Sequence, residues 1–204
     1  MSDLWDYFNN KSVLKDKFKE YREELNYNDE NNDNLEEFLS KLIIYINNAN
    51  NINNIDKEAI NLKRNLENEL KEKCFIEYND NSEFQYFLHY ITKIRGQSNK
   101  SRLKIFTLNY DTLFEQTASK YLYTIIDGFS FTSPRRFASS NFDLDIIEKK
   151  DNRLENNSMH SRVFHLYKMH GSLNWNKKED IIKITTPESI ADLKNEDQGM
   201  IIYP

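Results

Sequence analysis

LKIFTLNYDTLFEQTASKYL, residues 103–122, contains the change of period that decides the fold. Its first eight residues, LKIFTLNY, form a short apolar run with no helical repeat, which suits a strand buried on both faces, as in a parallel sheet. The continuation, DTLFEQTASKYL, is amphipathic at helical spacing. Thr112 and Glu115 have the T-x-x-E spacing of a capping box, and Asp111 stands where a carboxylate interacts favourably with the helix dipole. The stretch therefore predicts strand, tight turn and helix. Ligands bind at the carboxyl ends of strands in open α/β sheets, and Asn109, Tyr110 and Asp111 fall at that point.

Towards the C-terminus, VFHLYKM (163–169) reads as a second buried strand and runs into His170, Gly171 and Ser172. Neighbouring parallel strands would turn the Asn-Tyr-Asp and His-Gly-Ser clusters towards one crevice. An amide, a carboxylate and an imidazole converging there suit chemistry on a polar small molecule. Histidine moves protons near neutral pH, asparagine orients a water or hydroxyl without charge, and Gly171 lets backbone approach a ligand closely. Taken singly, an Asn at a strand end is usually a turn residue, and a His before Gly is usually structural. IIKITT (181–186) predicts a third strand, PESIADL a short helix opened by Pro187, and GMIIYP a further strand. Between the two clusters, GFSFTSPRRF reads as a loop and 148–162 as a charged, Asn-rich excursion.

Towards the N-terminus the period is helical. Leu35, Phe38, Leu39, Leu42, Ile43 and Ile46 form one face. Ile55, Ala59, Leu62, Leu66 and Leu70 form another, and Phe84, Phe87, Leu88 and Ile91 a third, with Ser82 as its N-cap. Residues 2–25 predict two short helices. The expected organisation is a helical part, 1–100, and a sheet-bearing part, 101–204, of one α/β domain. The fold class is a Rossmann-like parallel sheet flanked by helices, with a helix-rich N-terminal half.

Bulk properties exclude several classes. Apolar residues make up 38% of the 204, enough for a core. The net charge of −5 argues against a nucleic-acid surface. No apolar run is long enough to span a membrane, and MSDLWDYFNN has no signal-peptide pattern. The single cysteine, Cys74, rules out an internal disulfide and a multi-cysteine zinc site. His160 and His165 lack carboxylates at ligand spacing, so no metal is expected. Neither G-x-S-x-G nor G-x-G-x-x-G occurs, and the chain has only four glycines. These features suit a cytoplasmic protein.

The pair TLNYDTLFEQ and LYKMHGSLNW resembles the bacterial sirtuin-like domains, in which one strand ends in T-x-N-Y-D-x-L-x-E and a later one in K-x-H-G-S-x-x-W. The resemblance covers roughly residues 100–204. It implies a Rossmann-like sheet that binds NAD and hydrolyses it, with antiphage defence as the setting and a homo-oligomer or larger defence complex as the assembly. By the same resemblance Asn109 positions the attacking water and the nicotinamide-side ribose. Asp111 contacts the nicotinamide carboxamide, and His170 acts as general base. Thr107 and Ser172 are supporting contacts. The zinc cysteines of deacylating sirtuins are absent, which counts against protein deacylation. The chain opens on a segment resembling the one that follows the family's phosphate loop and stops at IIYP, so the domain is expected to be incomplete at both ends. Two alternatives stay open: a non-catalytic NAD or ADP-ribose sensor on the same fold, and an interaction module that has lost the site.

Overall fold

The computed structural model describes residues 2–27, 34–51, 54–76, 83–95, 101–148, 158–178, 181–184 and 199–201. The chain divides into two compact units, Met1–Lys73 and Cys74–Ile201.

The first unit is helical: α1 (Ser2–Asn10), α2 (Lys15–Glu24), α3 (Leu35–Asn51) and α4 (Lys57–Cys74). The periodicities account for its core. Leu35, Phe38, Leu39, Leu42 and Ile46 are buried along α3, and Ala59, Leu62, Leu66 and Leu70 along α4. Trp5 lies edge-on to Phe18 at 5.2 Å, and Phe18 to Phe38 at 4.7 Å. Edge-on pairs of this kind favour one packing over others. Ile55, expected on the α4 stripe, is exposed, because the helix starts after it. Asp56 accepts the Ala59 N–H at 2.9 Å and so caps α4. The same carboxylate accepts the hydroxyls of Tyr21 and Tyr45.

The second unit is mixed. In chain order it holds α5 (Glu83–Arg95), β1 (Lys104–Thr107), α6 (Leu113–Lys120), β2 (Thr124–Ile126) and a 3-10 turn at Ser139–Asp143. Then come β3 (Ile147–Glu148), β4 (Ser158–Met159), β5 (Val163–Lys168), β6 (Gly171–Lys178), β7 (Ile181–Ile184) and β8 (Gly199–Ile201). The main sheet is parallel, in the order β1-β5-β2, so the two strands carrying the polar clusters are neighbours. Alternation along β5 sends Phe164 and Leu166 to one face, where they join Leu88 of α5 and Ala118 of α6 in a closed apolar cluster. A helical N-terminal half and a helix-flanked parallel sheet are therefore the architecture, as the change of period predicts.

Three local readings need correction. First, β1 is not buried on both faces. Among the described residues it lies at the edge of the sheet, and its Ile105 packs on the helix-side cluster, whereas Phe106 remains 63% exposed while stacked on Tyr167 at 4.6 Å. Second, the capping box does not form. Thr112 makes no cap bond, Glu115 turns to Lys168, and Asp111 Oδ1 instead accepts the Leu113 N–H at 3.0 Å. Third, Phe87 is exposed, and α5 buries Leu88. Beyond His170, where the sequence reading names no element until Ile181, the chain continues in regular structure. Residues from Gly171 form β6, the centre of a separate antiparallel sheet in the order β7-β6-β8. The predicted cap Ser82, the helix at Pro187 and residues 149–157 of the excursion lie outside the described residues. The ends of that excursion pair as β3 and β4.

Candidate functional site

The site begins with strand register. Thr107 pairs with Lys168, the last residue of each strand, and the Met169 N–H donates to Thr107 O at 3.0 Å. Both strands therefore leave the sheet at one level. Residues 108–111 and 169–172 emerge side by side at the carboxyl edge, where α/β folds bind ligands.

The first segment folds back on itself. The Asn109 N–H donates to Thr107 Oγ1 at 3.1 Å, which fixes the backbone turn and leaves the Asn109 side chain exposed. Tyr110 is buried, and its ring lies 6.3 Å from that of His170 at 46°. His170 itself is half-buried. Gly171 follows with φ 83°, a left-handed conformation that glycine adopts without a Cβ penalty and that turns the chain from β5 into β6. The structure thus brings Thr107, Asn109, Asp111, His170 and Gly171 to one edge. Ser172 differs: it is fully buried beneath that edge, and its hydroxyl donates to Tyr110 O at 3.3 Å.

Sequence reading overlooked Lys168. Its side chain is 3% exposed, and its ammonium reaches Ser172 Oγ at 2.7 Å, Glu115 Oε1 at 3.2 Å and the carbonyl oxygen of Asp111. Tyr110 O lies at 3.4 Å, the longest of these contacts. The available signal was the alternation of β5, which puts Lys168 on the same face as Phe164 and Leu166, where a lysine needs a buried partner.

Glu115 is that partner. Burial pushes its carboxyl above the ordinary carboxylate range; the Lys168 ammonium pulls it back, and the charge of Asp127 pushes it up again. Asp127 is likewise raised by burial and is opposed by Arg135, which approaches both carboxylate oxygens at 2.8 and 3.1 Å. The four groups form two cation–anion pairs, Lys168 with Glu115 and Arg135 with Asp127, whose anions repel each other. The pairing offsets much of the desolvation cost of each charge.

The opposite face of β5 holds an aromatic stack. Tyr167 lies between Phe106 at 4.6 Å and Phe142 at 4.3 Å, both nearly parallel to it. Phe142 continues through Phe137 to Trp175 of β6. Arg102, just before β1, bonds Asp145 Oδ1 at 2.8 Å, Ile146 O at 2.7 Å and His160 O. It ties the segments flanking β3 and β4 to the start of the strand. Burial lowers the pKa of His165 on this face. Among the described residues, no group of three or more His, Cys, Asp or Glu could hold a metal ion, and no helix is long and apolar enough to cross a membrane.

Two parallel strand ends, one bearing an exposed amide and the other an imidazole followed by a left-handed glycine, agree with the T-x-N-Y-D and K-x-H-G-S patterns. A comparison with curated proteins gives no match. The family model for the SIR2-like domain matches residues 103–201, a span that holds the whole parallel sheet and both strand ends, and these residues form a sirtuin-like domain.

Proposed function

We propose that the chain is an NAD hydrolase of the bacterial sirtuin-like class, cleaving the bond between nicotinamide and ribose. The observation that carries this reading is the Thr107–Lys168 register, which delivers Asn109 and His170 to the same edge of the sheet. NAD use is supported by the SIR2-like match over 103–201.

In the proposed reaction the C1′–N bond breaks and its electron pair returns to the nicotinamide ring, discharging the pyridinium. A water oxygen bonds to C1′, and the proton it loses passes to His170. Nicotinamide, ADP-ribose and one proton leave. Asn109 has a neutral carbonyl and NH2, suited to aiming that water and holding a ribose hydroxyl without attracting the cationic carbon. A neutral imidazole has one ring nitrogen free of hydrogen, which can accept the proton. Asp111 would accept from the carboxamide of nicotinamide with the oxygen not engaged by Leu113. Gly171 would admit the ligand close to backbone, with Thr107 as support, while the buried Ser172 would act only through the protein. We further propose a cytoplasmic, antiphage role within a homo-oligomer or larger defence complex; the family resemblance is its support.

The test is NAD consumption by the full chain, with nicotinamide and ADP-ribose quantified. Asn109→Ala and His170→Ala should each lower turnover by about 100-fold or more. Robust turnover in both variants refutes the site. NAD binding without turnover in the unmodified chain favours the sensor reading.

A further inference from the structure

We infer that Lys168 is a positioning residue: its buried ammonium latches the Asn109–Asp111 segment onto the His170–Leu173 turn. The kinetic part of this inference rests on the NAD hydrolase reading; the structural part does not.

The geometry is that of a latch with its donors fully used. An ammonium has three N–H bonds. Here they serve three elements: Glu115 on α6, the Asp111 carbonyl in the β1–α6 turn, and Ser172 on β6. Ser172 Oγ accepts from Lys168, which frees its own hydrogen to donate to Tyr110 O. Tyr110 O also accepts the Leu173 N–H at 3.0 Å. The carbonyls of residues 110 and 111 lie past the end of β1 and before α6, and Lys168 engages both, that of Asp111 directly and that of Tyr110 also through Ser172. With 3% of its side chain exposed and its donors committed, Lys168 does not touch substrate. It acts through the backbone on which Asn109 and Asp111 stand. Ser172 belongs to the same latch, and its hydroxyl faces protein rather than ligand.

Hydrogen exchange at the Leu173 amide, which reports the Tyr110–Leu173 bond, tests this with Lys168→Met, Ser172→Ala and Glu115→Gln. Losing a charge-assisted bond shifts an opening equilibrium by about tenfold or more. Exchange at Leu173 should therefore accelerate by about tenfold in Lys168→Met and by about threefold in Ser172→Ala. Wild-type protection in folded Lys168→Met overturns the latch. Should that variant fail to fold, wild-type protection in both Ser172→Ala and Glu115→Gln overturns it.

The kinetic arm follows NAD turnover. In Lys168→Met, kcat should fall by about 10–100-fold, the scale of a small misplacement of catalytic groups, with KM changed far less. Asn109→Ala should show the opposite combination, lost turnover with Leu173 protection intact. A wild-type chain that consumes no NAD refutes the hydrolase reading, and hydrogen exchange still decides the latch.

Discussion

Replacing Gly128 with alanine tests whether the aromatic layer behind β5 is as tightly closed as its geometry implies. Gly128 has φ +82°, and a Cβ there would stand 2.5 Å from Phe137 Cε2 and 2.7 Å from Phe142 Cε2. Two costs add. A left-handed non-glycine residue costs about 1–2 kcal/mol, and forcing a methyl into a filled site costs about 1–3 kcal/mol. Alanine also restricts the unfolded chain, which returns about 0.4–1 kcal/mol. The net is a loss of about 1.5–4 kcal/mol. At about 3–5 °C per kcal/mol for a unit of this size, the midpoint should fall by about 5–20 °C. The chain has two tryptophans, one in each unit: Trp5 in the helical one and Trp175 in the sheet-bearing one. Trp175 is packed against Phe129 at 5.2 Å and Phe137 at 5.9 Å, so its emission reports this layer. Thermal unfolding followed at Trp175 in a Trp5→Phe background gives the shift directly. Adding Phe142→Leu opens space beside the new methyl and should recover part of the loss, measured against Phe142→Leu alone as a double-mutant cycle. A midpoint within about 2 °C of the parent refutes the reasoning.

Two further predictions concern packing and charge. Phe164→Ala empties the centre of the cluster formed with Leu88, Ala118 and Leu166, and should cost about 3–5 kcal/mol in denaturant titrations followed at Trp175. Asp56→Asn keeps a capping side chain but removes the charge bonded by the Tyr21 and Tyr45 hydroxyls, and should cost about 0.5–2 kcal/mol, read at Trp5 in a Trp175→Phe background. Burial pushes the Asp56 carboxyl up, but the Ala59 N–H and the two tyrosine hydroxyls outweigh it and hold the carboxyl below the ordinary carboxylate range. The folded state therefore binds this proton less readily than the unfolded one. The stabilisation is present above the unfolded pKa and fades as pH falls towards the folded one. The difference between Asp56→Asn and the parent should shrink below about pH 4; a constant difference refutes the assignment.

What could be read in the sequence was local or periodic. Strand, turn and helix at 103–120 lie in one window where the period changes, and the placement of β1 beside β5 followed from expecting both buried runs in one parallel sheet. The alternation Leu173-Asn174-Trp175-Asn176 has the period of a strand, although the structure buries Asn174 together with its apolar neighbours. Other features had no local signature. Phe106 looks like any core phenylalanine until strand order puts β1 at the edge of the described sheet. Glu115 satisfies the spacing of a capping box, yet a buried ammonium more than fifty positions away attracts it more strongly than the backbone N–H does. Within K-x-H-G-S, histidine draws the eye because its chemistry is versatile. The lysine two positions earlier is legible only once β5 is known to carry it inward.

The adjacency of β1 and β5 also has a consequence for biosynthesis. About 60 residues separate the two strand ends, and closing such a loop costs roughly (3/2)RT ln 60, about 3.5 kcal/mol, before any contact rewards it. At about 5–20 residues per second, a ribosome needs roughly 3–12 s to pass from the first strand end to the second. Throughout that interval β1 has no β5 to pair with, and Asn109 stands without His170. A chain interrupted anywhere before Lys168 thus holds half of the constellation and none of its geometry. The two strand ends can meet only after most of the sheet-bearing unit has been made, and connectivity alone imposes that delay.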